Sequence, residues 1–239
     1  RSRGLGDVYK RQGILYLIPT PLADDLPLEP SAFNLLGKAS SDLDNYAIYI
    51  EDHKPARRRW ISWGLDREVI THFIQYNEHN MNDSLNEAIS TLSSGVNILL
   101  MSDGGLPAFC DPGARLVRRC HESGIRVKCL PHHNSISQAI ALCGFECNEF
   151  HFYGFPPRKS ELRESFFQKI AQTSTTAVLM DTPYRLKKTL EELKGIGLKK
   201  KVFLATNLNA KNEMLYFGNI SKVLSKLVED KAEFILIIE

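Results

Sequence analysis

Short apolar runs alternate with helix-like patterns along the chain from Gly13 onward. Seven of these runs have the length of a strand, and each is continuously apolar rather than alternating with polar residues. Such runs are typical of strands buried on both faces of a parallel sheet, and their alternation with helices is typical of an α/β fold. The seven predicted strands are residues 14–18, 46–50, 97–101, 126–130, 176–180, 202–206 and 234–238.

Three helices are predicted from apolar residues spaced to form one helical face. The first carries Leu85, Ile89 and Leu92, with a capping box that begins at Ser84 and a stop at Gly95. The apolar faces of the other two helices consist of Leu116, Val117 and Cys120, and of Leu186, Leu190 and Leu193.

The chain of 239 residues is long enough for two α/β domains. Its first twelve residues, RSRGLGDVYKRQ, carry four basic side chains and no apolar periodicity. Residues 1–12 are therefore expected to be an extraneous or disordered leader. A change in pattern near residues 130–133 predicts an N-terminal domain at 13–131 and a C-terminal domain at 132–239.

Composition excludes several classes of protein. With 43% hydrophobic and 24% charged residues, the chain resembles an ordinary globular protein rather than a disordered one. A net charge of +2 is too small to identify a nucleic-acid binder, so any basic surface must be local. Five cysteines without a C-x-x-C pair indicate reduced thiols and a cytoplasmic location. No apolar run is long enough to span a membrane.

The most informative loop follows the third predicted strand, in the segment VNILLMSDGGLPAFCDPG at 96–113. Ligands of open α/β sheets bind beyond the carboxyl ends of the strands, and Asp103 stands at such an end. Gly104 and Gly105 would allow the backbone to approach a ligand closely. A tight turn with a capping aspartate explains the same residues equally well. Neither a dinucleotide fingerprint nor a phosphate-binding P-loop is present.

Two further strand ends carry polar loops, at 131–135 and 181–185. Asn134 or Ser135 is suited to cap the helix that follows, where free backbone N–H groups could bind a carboxylate. The adjacent His132 and His133 suggest a metal site, but no third ligand lies at a suitable spacing, and no metal is expected. Three polar strand ends together favour a ligand-binding cleft.

A local basic cluster consists of Lys54, Arg57, Arg58 and Arg59, with Trp60 and Trp63 beside it. Positive charge next to aromatic rings can bind the phosphates and stack on the bases of RNA. The alternative is a solvated helix face with both tryptophans packed inward, and the sequence by itself favours that alternative.

From Gly13 onward the chain resembles the tetrapyrrole-methylase-like methyltransferases, and most of all the bacterial branch that methylates cytidine 2′-hydroxyls of small-subunit ribosomal RNA. The ordered set of segments is specific, whereas no single one is. The matching segments are LYLIPTPLADD (15–25), IED (50–52), SDGGLPAFCDPGARLV (102–117), GIRVKCLP (124–131), FYGFPPRK (152–159), DTPYR (181–185), ATNLNAKNE (205–213) and KAEFILIIE (231–239).

The resemblance implies a homodimer of two-domain α/β chains, with a mainly parallel N-terminal sheet and a mixed C-terminal sheet. It implies S-adenosylmethionine bound between the domains and ribosomal RNA, or the small ribosomal subunit, as the partner, which the cluster at Lys54, Arg57, Arg58 and Arg59 would contact. The residues implied to bind the cofactor are Pro19, Thr20, Pro21, Asp103, Gly104, Gly105, Leu106, Ser135, Ile136, Met180, Tyr184, Leu208 and Ala232.

A base that accepts the proton of the hydroxyl would assist methyl transfer. The candidates are Glu51, Asp52 and Glu213, and Glu51 is preferred because it ends a strand that faces the expected cleft. Each carboxylate could instead form a structural ion pair.

The chain departs from the family pattern at several positions. It has Gly104 and Leu106 where the family usually has Ala and Thr, and His132-His133 where the family has Gly-Pro. Ala23 and Asn207 replace a usual glycine and glutamate. Altered cofactor binding at the second loop is therefore expected. A small-molecule methyltransferase of the tetrapyrrole type and a non-catalytic RNA-binding paralogue remain the alternative functions.

Overall fold

A computed structural model describes residues 12–22, 26–132 and 134–239. The expected leader at 1–12 lies outside these residues except for Gln12, and Ala23 and His133 also lie outside them. The described residues form two compact units, one that ends at His132 and one that begins at Asn134. None of the described helices is both long and apolar enough to cross a membrane.

The first unit contains one five-stranded parallel sheet. Its strand order is β3-β2-β4-β1-β5, and every neighbouring pair is parallel, as the continuous apolar runs predict. In chain order its elements are β1 (Leu15–Ile18), α1 (Pro30–Ser40), β2 (Tyr46–Ile50), α2 (His53–Ser62), a 3-10 helix (Arg67–His72), β3 (Ile74–Gln75), α3 (Met81–Ser93), β4 (Asn97–Met101), α4 (Ala114–Glu122) and β5 (Val127–Cys129).

Helices cover both faces of this sheet, which is why its strands are apolar throughout. On one face Ile48 and Leu99 pack with the fully buried Trp60 of α2. On the other face Tyr49 and Ile98 pack against α3 and α4. Alternate residues of each strand therefore contribute to two different hydrophobic clusters.

The second unit contains a mixed five-stranded sheet of order β6-β7-β10-β8-β9, in which only the β6–β7 pair is parallel. This agrees with the mixed C-terminal sheet implied by the family resemblance. In chain order its elements are α5 (Ser135–Cys143), β6 (Phe150–Gly154), α6 (Ser160–Gln172), β7 (Thr176–Asp181), a 3-10 helix (Pro183–Arg185), α7 (Leu186–Gly195), β8 (Lys201–Thr206), β9 (Met214–Asn219), α8 (Ile220–Lys226) and β10 (Phe234–Ile238).

All seven predicted strands are confirmed, and three described strands were not predicted. The latter are β3, β6 and β9. The predicted helices are confirmed as α3, α4 and α7, but the predicted start of α3 is wrong. Asn80 is its N-cap, so Ser84 and Glu87 lie inside the helix instead of forming a capping box. Gly95 does follow the helix end, with a φ of 103°.

A buried arginine joins four elements of the second unit. Arg163 of α6 is 0% exposed. Its Nε and Nη2 donate to Glu192 Oε2 at 2.9 and 2.7 Å, and Nη2 also donates to Thr189 Oγ1 at 3.0 Å. Its Nη1 donates to Asp181 Oδ2 at 2.8 Å and to the Pro157 carbonyl at 3.3 Å. All five N–H donors of the guanidinium are therefore used.

We expect Arg163→Met to lower the free energy of unfolding by about 3–5 kcal/mol, because it leaves a buried carboxylate at Asp181 without its partner. Circular dichroism in urea would measure the loss. The matched control is Lys188→Met, which removes an exposed contact to Glu192 at 3.8 Å and should cost less than about 1 kcal/mol. Equal effects of the two substitutions would contradict the expectation.

Candidate functional site

The loops that follow β1 and β4 are joined by backbone hydrogen bonds. Thr20 N donates to Gly105 O at 2.9 Å, and Gly105 N donates to Thr20 O at 3.0 Å. The buried Thr20 hydroxyl also donates to the Ser102 carbonyl at 3.1 Å. Gly105 has a φ of 91°, which favours glycine at this position. The two segments predicted to bind cofactor in this unit, Pro19 to Pro21 and Asp103 to Leu106, are thus held side by side.

The loops that follow β2 and β4 are joined by two reciprocal hydrogen bonds. Glu51 Oε2 accepts from Asp103 N at 3.1 Å, and Asp103 Oδ1 accepts from Asp52 N at 3.3 Å. The Asp52 carboxylate caps α2 by accepting from Lys54 N at 2.9 Å. The structure therefore brings Glu51, Asp52 and Asp103 together at the carboxyl edge of the parallel sheet, as the argument from strand ends predicts.

A fourth carboxylate, Asp111, returns to the same edge through a tight loop, and the sequence analysis did not single it out. Ala108 and Cys110 have left-handed φ values of 66° and 64°, a conformation that costs non-glycine residues energy. Gly113 closes the loop, because a Cβ there would lie 2.9 Å from Leu100 Cδ2. Strained backbone of this kind is frequent at functional sites.

Burial, together with neighbouring negative charge, raises the pKa values of two of these carboxyls, Asp103 and Asp111. Burial raises the pKa of Asp103 to about 6, and the negative charge of Glu51 adds to the effect, while the hydrogen bond from Asp52 N opposes it. Burial and Glu51 likewise raise the pKa of Asp111 to about 6 against a hydrogen bond from Ser102. The site therefore concentrates negative potential and would bind a cationic group favourably.

Arg59 differs in burial from the other three residues of the basic cluster predicted to bind RNA. Lys54, Arg57 and Arg58 are exposed, whereas Arg59 is only 6% exposed. Its Nη1 donates to the Pro21 carbonyl, and its charge lowers the pKa of Asp103. Arg59 follows the buried Ala56 by three residues, so both side chains lie on the same inward face of α2.

Four of the six predicted cofactor residues of the second unit lie at one edge of its sheet, and the other two begin helix α5. Phe234, the first residue of β10, pairs with Asp181 at the end of β7 and with Thr206 at the end of β8. The loops after β7 and β8 and the loop before β10 therefore lie at the same edge of the sheet. Asn134, rather than Ser135, is the N-cap of α5 and accepts from Ser137 N at 2.9 Å. The predicted residues on this unit are Ser135, Ile136, Met180, Tyr184, Leu208 and Ala232.

Side-chain burial differs among these residues. Ile136 and Leu208 belong to one hydrophobic cluster, with Met180 partly buried against it. Ala232 is buried in a different cluster on this unit. Tyr184 is 77% exposed, and Lys231 Nζ lies 3.8 Å from its ring centroid and lowers its pKa. Tyr184 is thus the candidate ring for stacking on a ligand.

The third candidate base, Glu213, lies in the second unit. Its Oε2 accepts from Asn209 N at 2.7 Å within a loop where Asn207 and Asn209 have left-handed φ values of 49° and 65°. Asparagine tolerates this conformation, which gives a local reason for Asn207 where the family usually has glutamate. The structure does not place Glu213 in the same unit as Glu51 and Asp52. Among the described residues no group of three or more histidine, cysteine or carboxylate side chains could hold a metal ion.

Comparisons with known proteins match nearly the whole chain. The family model described as Tetrapyrrole (Corrin/Porphyrin) Methylases matches residues 45–224. Three similar relatives all carry the name Ribosomal RNA small subunit methyltransferase I. The Bacillus subtilis (strain 168) protein is 33% identical over 95% of this chain and 75% of its own length. The Synechocystis and Haemophilus influenzae proteins are 31% and 30% identical, each over 95% of this chain and 78% of their own lengths.

The raised pKa of Asp111 predicts how stability depends on pH. A carboxyl that binds its proton more tightly in the folded state stabilises the fold at low pH, and this contribution is lost as the pH rises through about 6. As the pH rises from about 4 to about 7, a range that covers the ordinary and the raised pKa of Asp111, the free energy of unfolding should therefore fall less in Asp111→Asn than in the wild type.

Tryptophan fluorescence during urea unfolding measures this change in the first unit, because both tryptophans of the chain, Trp60 and Trp63, lie there. Asp44→Asn, which removes an exposed carboxylate, is the control and should keep the wild-type pH dependence. An Asp111→Asn curve parallel to that of the wild type would contradict the expectation.

Proposed function

Since the chain belongs to the tetrapyrrole (corrin/porphyrin) methylase family, we propose that it transfers a methyl group from S-adenosylmethionine to a ribose 2′-hydroxyl of ribosomal RNA. The observation that carries this proposal is the similarity, over 95% of the chain, to proteins named for methylation of small-subunit ribosomal RNA. Those names favour RNA over a small tetrapyrrole as the acceptor.

The carboxylates of the first unit fit this donor chemically. S-adenosylmethionine carries a positive sulfonium and, at neutral pH, an ammonium group, and both are attracted to the negative potential of Glu51, Asp103 and Asp111. The backbone at Gly104 is open, because an added Cβ would meet no atom closer than 3.6 Å. In this proposal the first unit holds the cofactor with Pro19, Thr20, Pro21, Asp103, Gly104, Gly105 and Leu106.

In the second unit we assign cofactor contacts to the residues at one edge of its sheet and at the start of α5. Tyr184 offers an exposed ring for stacking on the adenine. Ile136, Met180 and Leu208 offer apolar surface from a single cluster. Ser135 begins α5, where backbone N–H groups can bind a carboxylate. Ala232 completes the set.

When bound, the cofactor would supply an electrophilic methyl group on an excellent leaving group, so positioning accounts for much of the acceleration. Glu51 is the proposed acceptor of the hydroxyl proton. Its Oε2 is fixed by Asp103 N, while Oε1 accepts no hydrogen bond from the described residues. Asp52 is less suitable because its carboxylate caps α2, and Glu213 because it stabilises its own loop.

Helix α2 offers the cations that an RNA acceptor requires. It begins two residues after Glu51 and exposes Lys54, Arg57 and Arg58. We assign the binding of RNA phosphates to these three residues, since phosphate contacts position a nucleic acid without reading its sequence. Arg59 is left out of this role because its guanidinium is buried against the Pro21 carbonyl.

If Asp103 attracts the positive sulfonium, then Asp103→Asn should weaken S-adenosylmethionine binding by more than about tenfold. It should weaken binding of the product, S-adenosylhomocysteine, by less, because the thioether of the product is neutral. The asparagine oxygen can still accept from Asp52 N, so the fold should survive. Calorimetric titration of both ligands, with Asp44→Asn as the control, measures the difference. Equal losses for the two ligands would argue against charge recognition.

If Glu51 is the base, then Glu51→Gln should lower the rate of methyl transfer by about a hundredfold or more. The glutamine oxygen can still accept from Asp103 N, so cofactor affinity should stay close to that of the wild type. Tritiated methyl transfer to small ribosomal subunits and to naked ribosomal RNA measures the rate. The exposed Glu68→Gln is the control, and a larger loss in Glu213→Gln would move the role of base to that residue.

The same reaction tests the proposed function itself. A ribose methylated at its 2′-oxygen resists alkaline cleavage, because the hydroxyl that attacks the neighbouring phosphate is blocked. Alkali-resistant labelled dinucleotides are the expected product. Labelled RNA that alkali cleaves completely would place the methyl group on a base, and wild-type protein that labels no RNA at all would overturn the proposed function.

A further inference from the structure

The segment 155–159, of sequence FPPRK, links β6 to α6 and has no role in the site described above. Phe155 is 51% exposed although it is a large apolar residue. Arg158 and Lys159 are also exposed, whereas Pro156 is buried. One short loop therefore presents an aromatic ring and two cations to solvent.

Two prolines and a hydrogen bond to a buried side chain restrain this loop. The two prolines fix their own φ angles. The carbonyl of Pro157 accepts a hydrogen bond from Arg163 Nη1, and the same nitrogen donates to Asp181 at the end of β7. Because Arg163 is fully buried, it anchors the exposed loop to the core of the second unit.

Among the described residues, the exposed side chains of this loop have no ion-pair or aromatic-ring partner. Within 4.0 Å no carboxylate of the described residues pairs with Arg158 or Lys159, whereas Lys187 pairs with Asp230 on the same unit. The Phe155 ring stacks on no other described aromatic ring. In contrast, the similarly exposed Phe217 packs with Phe145 at a centroid distance of 5.5 Å.

An exposed ring beside unpaired cations is the combination by which proteins bind single-stranded nucleic acid, with bases stacked on the ring and phosphates held by the cations. We propose that segment 155–159 is a docking site for single-stranded RNA, in which Phe155 stacks on a base and Arg158 and Lys159 bind phosphates. The charge of the loop selects a polyanion. The inference rests on the proposed function only in taking RNA as the acceptor.

The test compares matched pairs of variants for binding to an unstructured oligoribonucleotide and to small-subunit ribosomal RNA. Phe155→Ala should weaken binding by about tenfold, within the range for loss of one base stack. Its control is Phe217→Ala, which removes a ring of similar exposure.

The double variant Arg158→Ala with Lys159→Ala should reduce the salt dependence of RNA binding by up to about 1.4 log units, at about 0.7 per contact. Its control is Lys222→Ala with Lys226→Ala, two exposed lysines of α8.

In methyl-transfer assays the loop variants should raise the KM for RNA and leave kcat and the affinity for S-adenosylmethionine unchanged, because the contacts bind RNA equally in the ground and transition states. A defect of folding would also change cofactor affinity and thermal stability, so those two measurements separate it from loss of docking. Loop variants that bind RNA with wild-type affinity and salt dependence would overturn the inference, as would a loop that binds a protein partner but no RNA.

A further double variant, Arg57→Ala with Arg58→Ala, distinguishes the two proposals. If it weakens RNA binding while the loop variants do not, the docking site is wrong and the proposed function stands. If the wild-type protein binds no RNA and methylates none, both fail. Weakened binding in both double variants, with both controls at wild-type affinity, is the result expected here.

Discussion

The candidate site depends on the register of three parallel strands. Ile18 of β1 and Ile50 of β2 both pair with Met101 of β4, so these strands end at the same level of the sheet. The residues that follow each strand are therefore neighbours without any long loop to bring them together. A shift of one residue in either pairing would turn Glu51 or Asp103 toward a helix layer, because side chains alternate between the two faces.

The same register imposes an electrostatic cost. It places Glu51 and Asp103 within one hydrogen-bonded cluster, and the loop with two left-handed residues adds Asp111. Like charges in a partly buried setting destabilise the folded protein, and at Asp103 the positive charge of Arg59 and the hydrogen bond from Asp52 N oppose this effect. The free energy of unfolding is therefore lower than it would be with uncharged residues at this edge, and functional sites commonly reduce stability in this way. The buried Arg59 therefore offsets negative charge at the site and is not assigned to the binding of RNA phosphates.

The parts that could be predicted from sequence are those set by local pattern. β2, β4 and β10 were predicted with their observed bounds because each is a continuous apolar run with polar neighbours. β9 was missed because it is an edge strand that exposes Leu215 and Phe217, so it lacks that pattern. Asp103 was found because a strand end is visible in the sequence.

The contacts of Arg59, Asp111 and Arg163 could not be predicted from the local sequence pattern. Each depends on which way a side chain points or on where a loop returns, and neither follows from composition. The basic cluster at 54–59 looks uniform in sequence, yet the helix turns one of its four cations inward. Asp111 reaches the site only because Gly113 permits a backbone conformation that other residues resist. Long-range geometry of this kind requires the fold.

The five hydrogen bonds of Arg163 also affect the entropy of ligand binding. They join the loop after β6, the end of β7 and helix α7 into one ordered assembly before any ligand arrives. Flexible loops lose conformational freedom when they close on a ligand, and that loss weakens affinity. Here the loss has already occurred during folding, so a molecule that contacts these loops meets a surface in its final conformation.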